Sequence, residues 1–163
     1  MHYEPPLKDI SFVLFDMFNA AQTLKRYPEF EEIDQDLMSQ VIEEAGRFAS
    51  EILFPTNATG DREGCQFENG QVKTPGGFVQ AYEQFQQAGW PALACDPAYG
   101  GQGLPYTLNT VLYEMLTGTN HAWAMFPGLL HGAYSSLYHY ADKELKETYL
   151  PKIVSGEWLA TMC

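Results

Sequence analysis

Three histidines, His121, His131 and His139, and the paired Ser135 and Ser136 have the most direct claim to chemistry in this sequence. Imidazoles share a metal from one helical face when they stand four residues apart; these stand 10 and 8 apart, so no shared ion is expected. A serine hydrolase would need a G-x-S-x-G turn and a carboxylate aimed at the imidazole, and the sequence offers neither. The acidic run Glu29, Glu31, Glu32, Asp34 and Asp36, with Glu43 and Glu44 beyond it, lacks the spacing and the glycine of a calcium loop. It reads as a solvated helical face. Gly101-Gln102-Gly103 is half of a dinucleotide fingerprint, but no third glycine follows, no clean strand precedes it, and there is no GK[ST] phosphate loop. A flexible loop feeding a helix is the expectation. Cys65, Cys95 and Cys163 show no C-x-x-C spacing and read as reduced thiols, not as a disulfide framework or a zinc site. From residue types alone, no catalytic residue and no metal site is assigned.

What the pattern does offer is a cavity. Met125, Phe126, Leu129, Gly132 and Ala133 recur at helical spacing, and the small residues Gly128, Gly132 and Ala133 leave room where larger side chains would close it. A long, narrow apolar ligand fits such a groove, and so would the side chains of neighbouring helices.

Helices must position these residues. The segment from His121 to Tyr140 is apolar nearly all round, which calls for a central helix buried on most sides. Before it, Leu108, Val111, Leu112, Met115 and Leu116 mark a helix that ends near Gly118, preceded by a glycine-rich loop from Pro97 to Pro105. After it, Asp142 caps a helix carrying Leu145, Tyr149, Leu150 and Ile153 and ending at Gly156. Earlier in the chain, one helix spans Leu7 to about Leu24, with Phe12 and Phe15 forming a second apolar face that needs cover. Another begins at Asp34, with Leu37, Val41, Ala45, Phe48 and Ile52 on one side, and stops at Pro55. Asn69-Gly70, between Cys65–Glu68 and Gln71–Lys73, is the residue pair of a type I′ turn and predicts a short hairpin. Thr74-Pro75 opens a further helix ended by Gly89. The expected fold is all-α, a bundle of about six helices with one small β-hairpin.

Composition excludes several classes. Nine Lys and Arg against 21 Asp and Glu give a net charge of −12, which disfavours nucleic acid and acidic membrane surfaces as partners. No apolar stretch reaches the ~20 residues of a membrane span, and the N-terminus lacks a signal peptide's basic and apolar regions, so a cytoplasmic protein is expected. With 45% hydrophobic residues over 163, the chain can build a core. Its end, Glu157 to Cys163, is apolar and β-compatible after a clear helix stop, as if a strand were opening. That suggests an N-terminal piece of a longer protein.

Several segments taken together resemble the N-terminal helical domain of the acyl-CoA dehydrogenases. Gly89-Trp90 followed by Asp96-Pro97-Ala98-Tyr99-Gly100-Gly101-Gln102-Gly103 is similar to that family's GW…P-x-x-YGG-x-G stretch. Tyr149-Leu150-Pro151-Lys152-Ile153-Val154-Ser155-Gly156-Glu157-Trp158 is similar to its YLPKL-x-SGE segment. Tyr3 to Leu14 resembles the N-terminal extension of a longer branch that includes the 3-methylmercaptopropionyl-CoA dehydrogenases. The order and spacing of these stretches carry the likeness.

The resemblance implies the N-terminal domain of a larger flavoprotein that oxidises an acyl-CoA to the 2,3-enoyl-CoA, with FAD held mainly by parts beyond residue 163. An electron-transfer flavoprotein is the implied electron acceptor, and a homo-oligomer is expected. Residues 1–30 would be the extension with its apolar helix, 31–157 the helical domain, and 158–163 the start of a middle β-domain. Position by position, Met162 and Cys163 fall just before the family's flavin-binding TEP segment and are the implied cofactor contacts. Met125, Leu129 and Gly132 fall on the helix that lines the acyl pocket. Trp90, Tyr99, Gly100 and Gly101 match a motif of structural character. Two other readings remain open at this point: a free-standing helical module that binds an acyl chain or a protein without redox chemistry, and an acyl-CoA oxidase.

Overall fold

A computed structural model of the chain describes residues 2–161; it is all-α apart from one two-stranded antiparallel hairpin. Helix α1 (Leu7–Ser11) runs on into a π-wound turn, Phe12–Met17, and α2 (Ala20–Leu24) restarts after Asn19. The apolar stripe is continuous across this region, but the backbone is not. Asn19 sits at φ 46°, a left-handed conformation that asparagine tolerates better than other non-glycine residues. Of the second apolar face, Phe12 stays 56% exposed while Phe15 packs partly against the core, and Met17 and Phe18, at the end of the main stripe, are 59% and 65% exposed.

Asp34 Oδ1 accepts from the Leu37 N–H at 2.8 Å and so caps α3 (Gln35–Arg47). Contrary to the expectation, Pro55 does not stop this helix. A π-wound turn, Phe48–Leu53, carries it into α4 (Phe54–Glu63). In an unbroken α register the proline ring would strike the carbonyl four residues back, and a donor would be missing. The wider turn resets the register, so Pro55 falls in the first turn of α4, where no donor is needed.

The hairpin forms as its turn residues predict. β1 (Gln66–Glu68) pairs with β2 (Gln71–Lys73), Phe67 opposite Val72, around Asn69 at φ 52° and Gly70 at φ 77°. Helix α5 (Phe78–Gln87) starts three residues after Pro75 because the left-handed Gly77, at φ 87°, intervenes. Helices α6 (Tyr106–Thr119), α7 (His121–Tyr140) and α8 (Lys143–Val154) complete the bundle, α8 capped by Asp142 as its sequence predicts.

Two apolar clusters hold these elements. The larger packs Met38, Ala49 and Leu53 against Phe85, Leu108, Met115, Leu116 and Trp123. The smaller gathers Ala92, Cys95, Leu130, Tyr134, Leu150, Ile153 and Val154. Helix α7 contributes to both. Its cap, Asn120, is 1% exposed; its Oδ1 accepts from the Trp123 N–H and its Nδ2 donates to Thr56 Oγ1 at 2.9 Å. The Trp123 indole donates in turn to the Phe78 carbonyl. A buried polar chain therefore fixes the start of α7 against α4 and α5, and each of its groups finds a partner. Beyond α8, residues 159–161 take no regular structure, and Leu159 and Ala160 pack on the smaller cluster where a strand was expected.

The loop before α6 is closed by its own backbone. Gly101, Gln102, Gly103 and Leu104 donate N–H groups to the carbonyls of Asp96, Ala92, Cys95 and Leu93, all at 2.9–3.0 Å. This brings Gly101 so near the Cys95 carbonyl that a side-chain carbon there would overlap it. Because the obstacle is backbone, it cannot swing aside. Gly101→Ala is expected to cost about 3 kcal/mol, measured by urea unfolding, whereas Gly100→Ala, with open space at its Cβ, is expected to cost less.

Candidate functional site

The cavity-forming helix is α7, and its two sides differ. Trp123, Ala124, Pro127, Leu130 and Tyr134 are buried along one side. The other side is not buried as its composition demands, since Met125 is 53%, Phe126 54% and Leu129 36% exposed. At 100° per residue, Met125, Leu129 and Gly132 fall on one stripe opposite the core. An added Cβ at Gly132 would meet no heavy atom within 4 Å. The three residues singled out from the sequence thus share a face that residues 2–161 leave open. Met162 and Cys163, the implied cofactor contacts, lie outside the described residues.

Beside that stripe runs a groove of about 920 Å³ between α7 and the segments around Asp96 and Leu104. Gly128 and Gly132 form its floor on the helix, and His131, Ser135 and His139 recur along it at one-turn intervals. The His131 ring lies 4.7 Å from that of Tyr106 and 5.7 Å from that of Tyr134. Burial pushes the His131 pKa below its ordinary value, so its imidazole is neutral at pH 7.

Asp96 ties the groove's two walls together. The Tyr138 hydroxyl donates to Asp96 Oδ2 at 2.7 Å, the Ala98 N–H donates to Oδ1 at 2.7 Å, and the Asp96 N–H donates to the Tyr134 hydroxyl at 2.8 Å. The Tyr138 hydroxyl, and after it the Ala98 N–H, hold the Asp96 carboxyl below the usual carboxylate range. The same contact raises the Tyr138 hydroxyl. A second clamp lies nearby, where the Tyr82 hydroxyl and Gln86 Nε2 both donate to the Gly156 carbonyl, at 2.7 and 2.6 Å. Gly156, at φ 72°, sits so close that a Cβ would come within 2.9 Å of Pro91 Cγ. The Gly89–Gly103 and Tyr149–Trp158 stretches, distant in sequence, are therefore in contact.

These contacts define what the site can do chemically. Burial pushes the Cys95 thiol up to about 12, which makes it a poor nucleophile. The N–H groups of Gly100 through Gly103 all donate within their own loop, so none is free to cradle a phosphate. Among the described residues no group of three or more His, Cys, Asp or Glu side chains is placed to hold a metal. The site can bind and shape a ligand. Sequence reasoning did not assign Asp96, Tyr134 and Tyr138 to it; the tyrosines' one-turn spacing on α7 and the N-cap position of Asp96 were the available signals.

The family model for the acyl-CoA dehydrogenase N-terminal domain matches residues 35–157. The chain belongs to the acyl-CoA dehydrogenase family. It is 33% identical to a 3-methylmercaptopropionyl-CoA dehydrogenase of Ruegeria pomeroyi, over 99% of this chain and 27% of that protein. It is 30% identical to a butyryl-CoA dehydrogenase of Syntrophomonas wolfei, again over 99% of this chain and 27% of the relative. A broad-specificity linear acyl-CoA dehydrogenase of Mycobacterium tuberculosis is 28% identical over 99% of this chain and 26% of its own length. The chain thus spans about a quarter of the length of these relatives. A chain in the solved structure of the electron transferring flavoprotein of Acidaminococcus fermentans shares its fold, with a TM-score of 0.59 at 18% identity over 78% of this chain and 31% of that one.

Each stretch that resembles an acyl-CoA dehydrogenase motif is held by one clamp: Asp96 ties the first to α7, and Tyr82 and Gln86 of α5 hold Gly156 of the second. One consequence is measurable. Because the folded pKa of Asp96 lies below its unfolded value, its contribution to stability is complete above the ordinary carboxylate pKa of about 3.9 and is lost as pH falls through the folded value. In thermal unfolding, Asp96→Asn should lower the melting temperature at pH 7, and the difference from the native chain should shrink steadily as pH drops below about 4.

Proposed function

We propose that this chain is the N-terminal part of an FAD-dependent acyl-CoA dehydrogenase that oxidises an acyl-CoA thioester to the 2,3-enoyl-CoA. Its share of that work is to wall the acyl tail with α7. The observation that supports the reading most is the uncovered stripe of Met125, Leu129 and Gly132, apolar and small on a helix whose other side is packed. A tail laid along it would shed water from three exposed apolar positions and lie beside the free space at Gly132. Holding the tail orients the thioester end, and burying it excludes water from the reacting carbons.

Residues 2–161 do not fit FAD as its principal holders, because the glycine-loop donors are consumed internally and the groove beside that loop carries carboxylates where a pyrophosphate would need cations. In this reading the flavin contacts of this sequence are confined to Met162 and Cys163. The remaining contacts, and the catalytic residues, belong to parts of the enzyme outside this sequence. Residues 1–30 form an extension, 31–157 the helical domain, and 158–163 the opening of the next domain. An electron-transfer flavoprotein takes the electrons. The exposed apolar residues of the Phe12–Met17 turn and of α7 favour a homo-oligomer. A cytoplasmic location agrees with free Cys65 and Cys95. No helix among the described residues is long and apolar enough to cross a membrane.

Two measurements test this reading. Residues 1–163 purified alone should be helical by circular dichroism and colourless; a yellow preparation with a flavin absorption band would overturn the assignment of FAD to other parts. In a polypeptide of the relatives' full length, Gly132→Trp should lower kcat/KM at least about tenfold on long acyl chains and far less on butyryl-CoA, since an indole on the open stripe blocks only the distal tail. Equal losses at all chain lengths would remove Gly132 from the pocket.

A further inference from the structure

The groove on α7 has a composition that a plain alkyl tail would not use. His131, Ser135 and His139 lie along one edge of the helix at one-turn spacing, and Gly128 and Gly132 separate them from the apolar stripe of Met125 and Leu129. Tyr106 closes the far side, its ring 4.7 Å from that of His131. The His131 imidazole is half-buried and makes no hydrogen bond to another described residue, and burial keeps it uncharged. It therefore faces the groove with one donor and one acceptor unspent, and the Ser135 hydroxyl stands one turn on. The charged groups lining the groove are the carboxylates Glu29 and Asp96, with no lysine or arginine among the described residues there.

We propose that the groove selects acyl groups with a neutral, hydroxyl-bearing distal end, the hydroxyl hydrogen-bonding to His131 while the methylene chain lies over Gly128 and Gly132. This rests on the reading of α7 as the acyl wall and adds the substrate class. An alkyl terminus would bury the imidazole without a partner, and a carboxylate terminus would meet Glu29 and Asp96 with no cation to offset them.

The test is isothermal titration of the purified polypeptide of the relatives' full length with hexanoyl-CoA, 6-hydroxyhexanoyl-CoA and adipoyl-CoA. The hydroxylated ligand should bind about tenfold more tightly than hexanoyl-CoA, and adipoyl-CoA more weakly than either. His131→Leu should bring the two neutral ligands to within about threefold of each other, with hexanoyl-CoA tightened because no imidazole is then buried without a partner, and His131→Gln, which keeps a donor and an acceptor, should restore part of the preference. Native affinities that are equal for the two neutral ligands, with both weakened by Gly132→Trp, would overturn the hydroxyl selectivity and leave the acyl wall standing. Binding of all three that Gly132→Trp does not change, or no binding at all, would overturn the acyl wall and the selectivity with it.

Discussion

Asp96 is the carboxylate on which the geometry of this domain depends. Its two oxygens and its N–H reach, respectively, the Ala98 backbone, Tyr138 and Tyr134, so one residue opens a loop and anchors it to two successive turns of α7. Each contact alone is a modest interaction in water. Their value comes from being made at once, because the loop that Asp96 opens then closes on itself through four backbone hydrogen bonds and packs Gly101 against the Cys95 carbonyl. With the loop fixed, Cys95 and Ala92 become part of the smaller apolar cluster, and α8 docks on them through Leu150, Ile153 and Val154. The groove wall and the seat of α8 follow from that one arrangement.

Helix α7 then has to satisfy two demands. Its packed side carries stability through Trp123 and Leu130, which sit in different clusters. Its open side carries apolar surface that, if covered, would contribute roughly 1.5–3 kcal/mol for each large side chain. A domain that leaves Met125 and Phe126 more than half exposed, and does the same at Phe12, Met17 and Phe18, forgoes that stabilisation at two places. The relatives are about four times the length of this chain, and under the proposed function such faces are the ones a ligand and neighbouring structure would cover.

The helical frame could be read from sequence because its signals are local. Asp34 and Asp142 cap helices through their own side chains, Asn69-Gly70 sets a hairpin through two positive φ angles, and Gly89 ends a helix at φ 76°. Where the reading failed, the deciding term was not local. Pro55 was read as a stop, but a π-wound turn upstream absorbs it. Asn19 breaks a stripe that looks continuous because side-chain period is blind to a single left-handed residue. The apolar character of α7 predicts burial on most sides, but composition gives only the surface that needs cover and not what supplies it. The candidate stripe of Met125, Leu129 and Gly132 could be found from spacing. The Asp96 network could not, since its partners are 38 and 42 residues apart and meet only after folding.

Under the proposed function, binding and discrimination would be divided along one helix. Apolar contact over Met125 and Leu129 grows with the length of a tail but distinguishes poorly between tails, because adding or removing a methylene changes affinity only modestly. A buried polar group distinguishes strongly, since an unmatched partner leaves it without a hydrogen bond. Around α7, His131 lies about a third of a turn from Met125 and nearly half a turn from Leu129, with Gly128, Gly132 and Ser135 in the arc between them. The helix can offer His131 to a ligand held on the apolar stripe only while both glycines stay small. Neutrality of the imidazole matters for the same reason, because a charged His131 would be drawn to Glu29 and Asp96 across the groove and would no longer be free for a ligand.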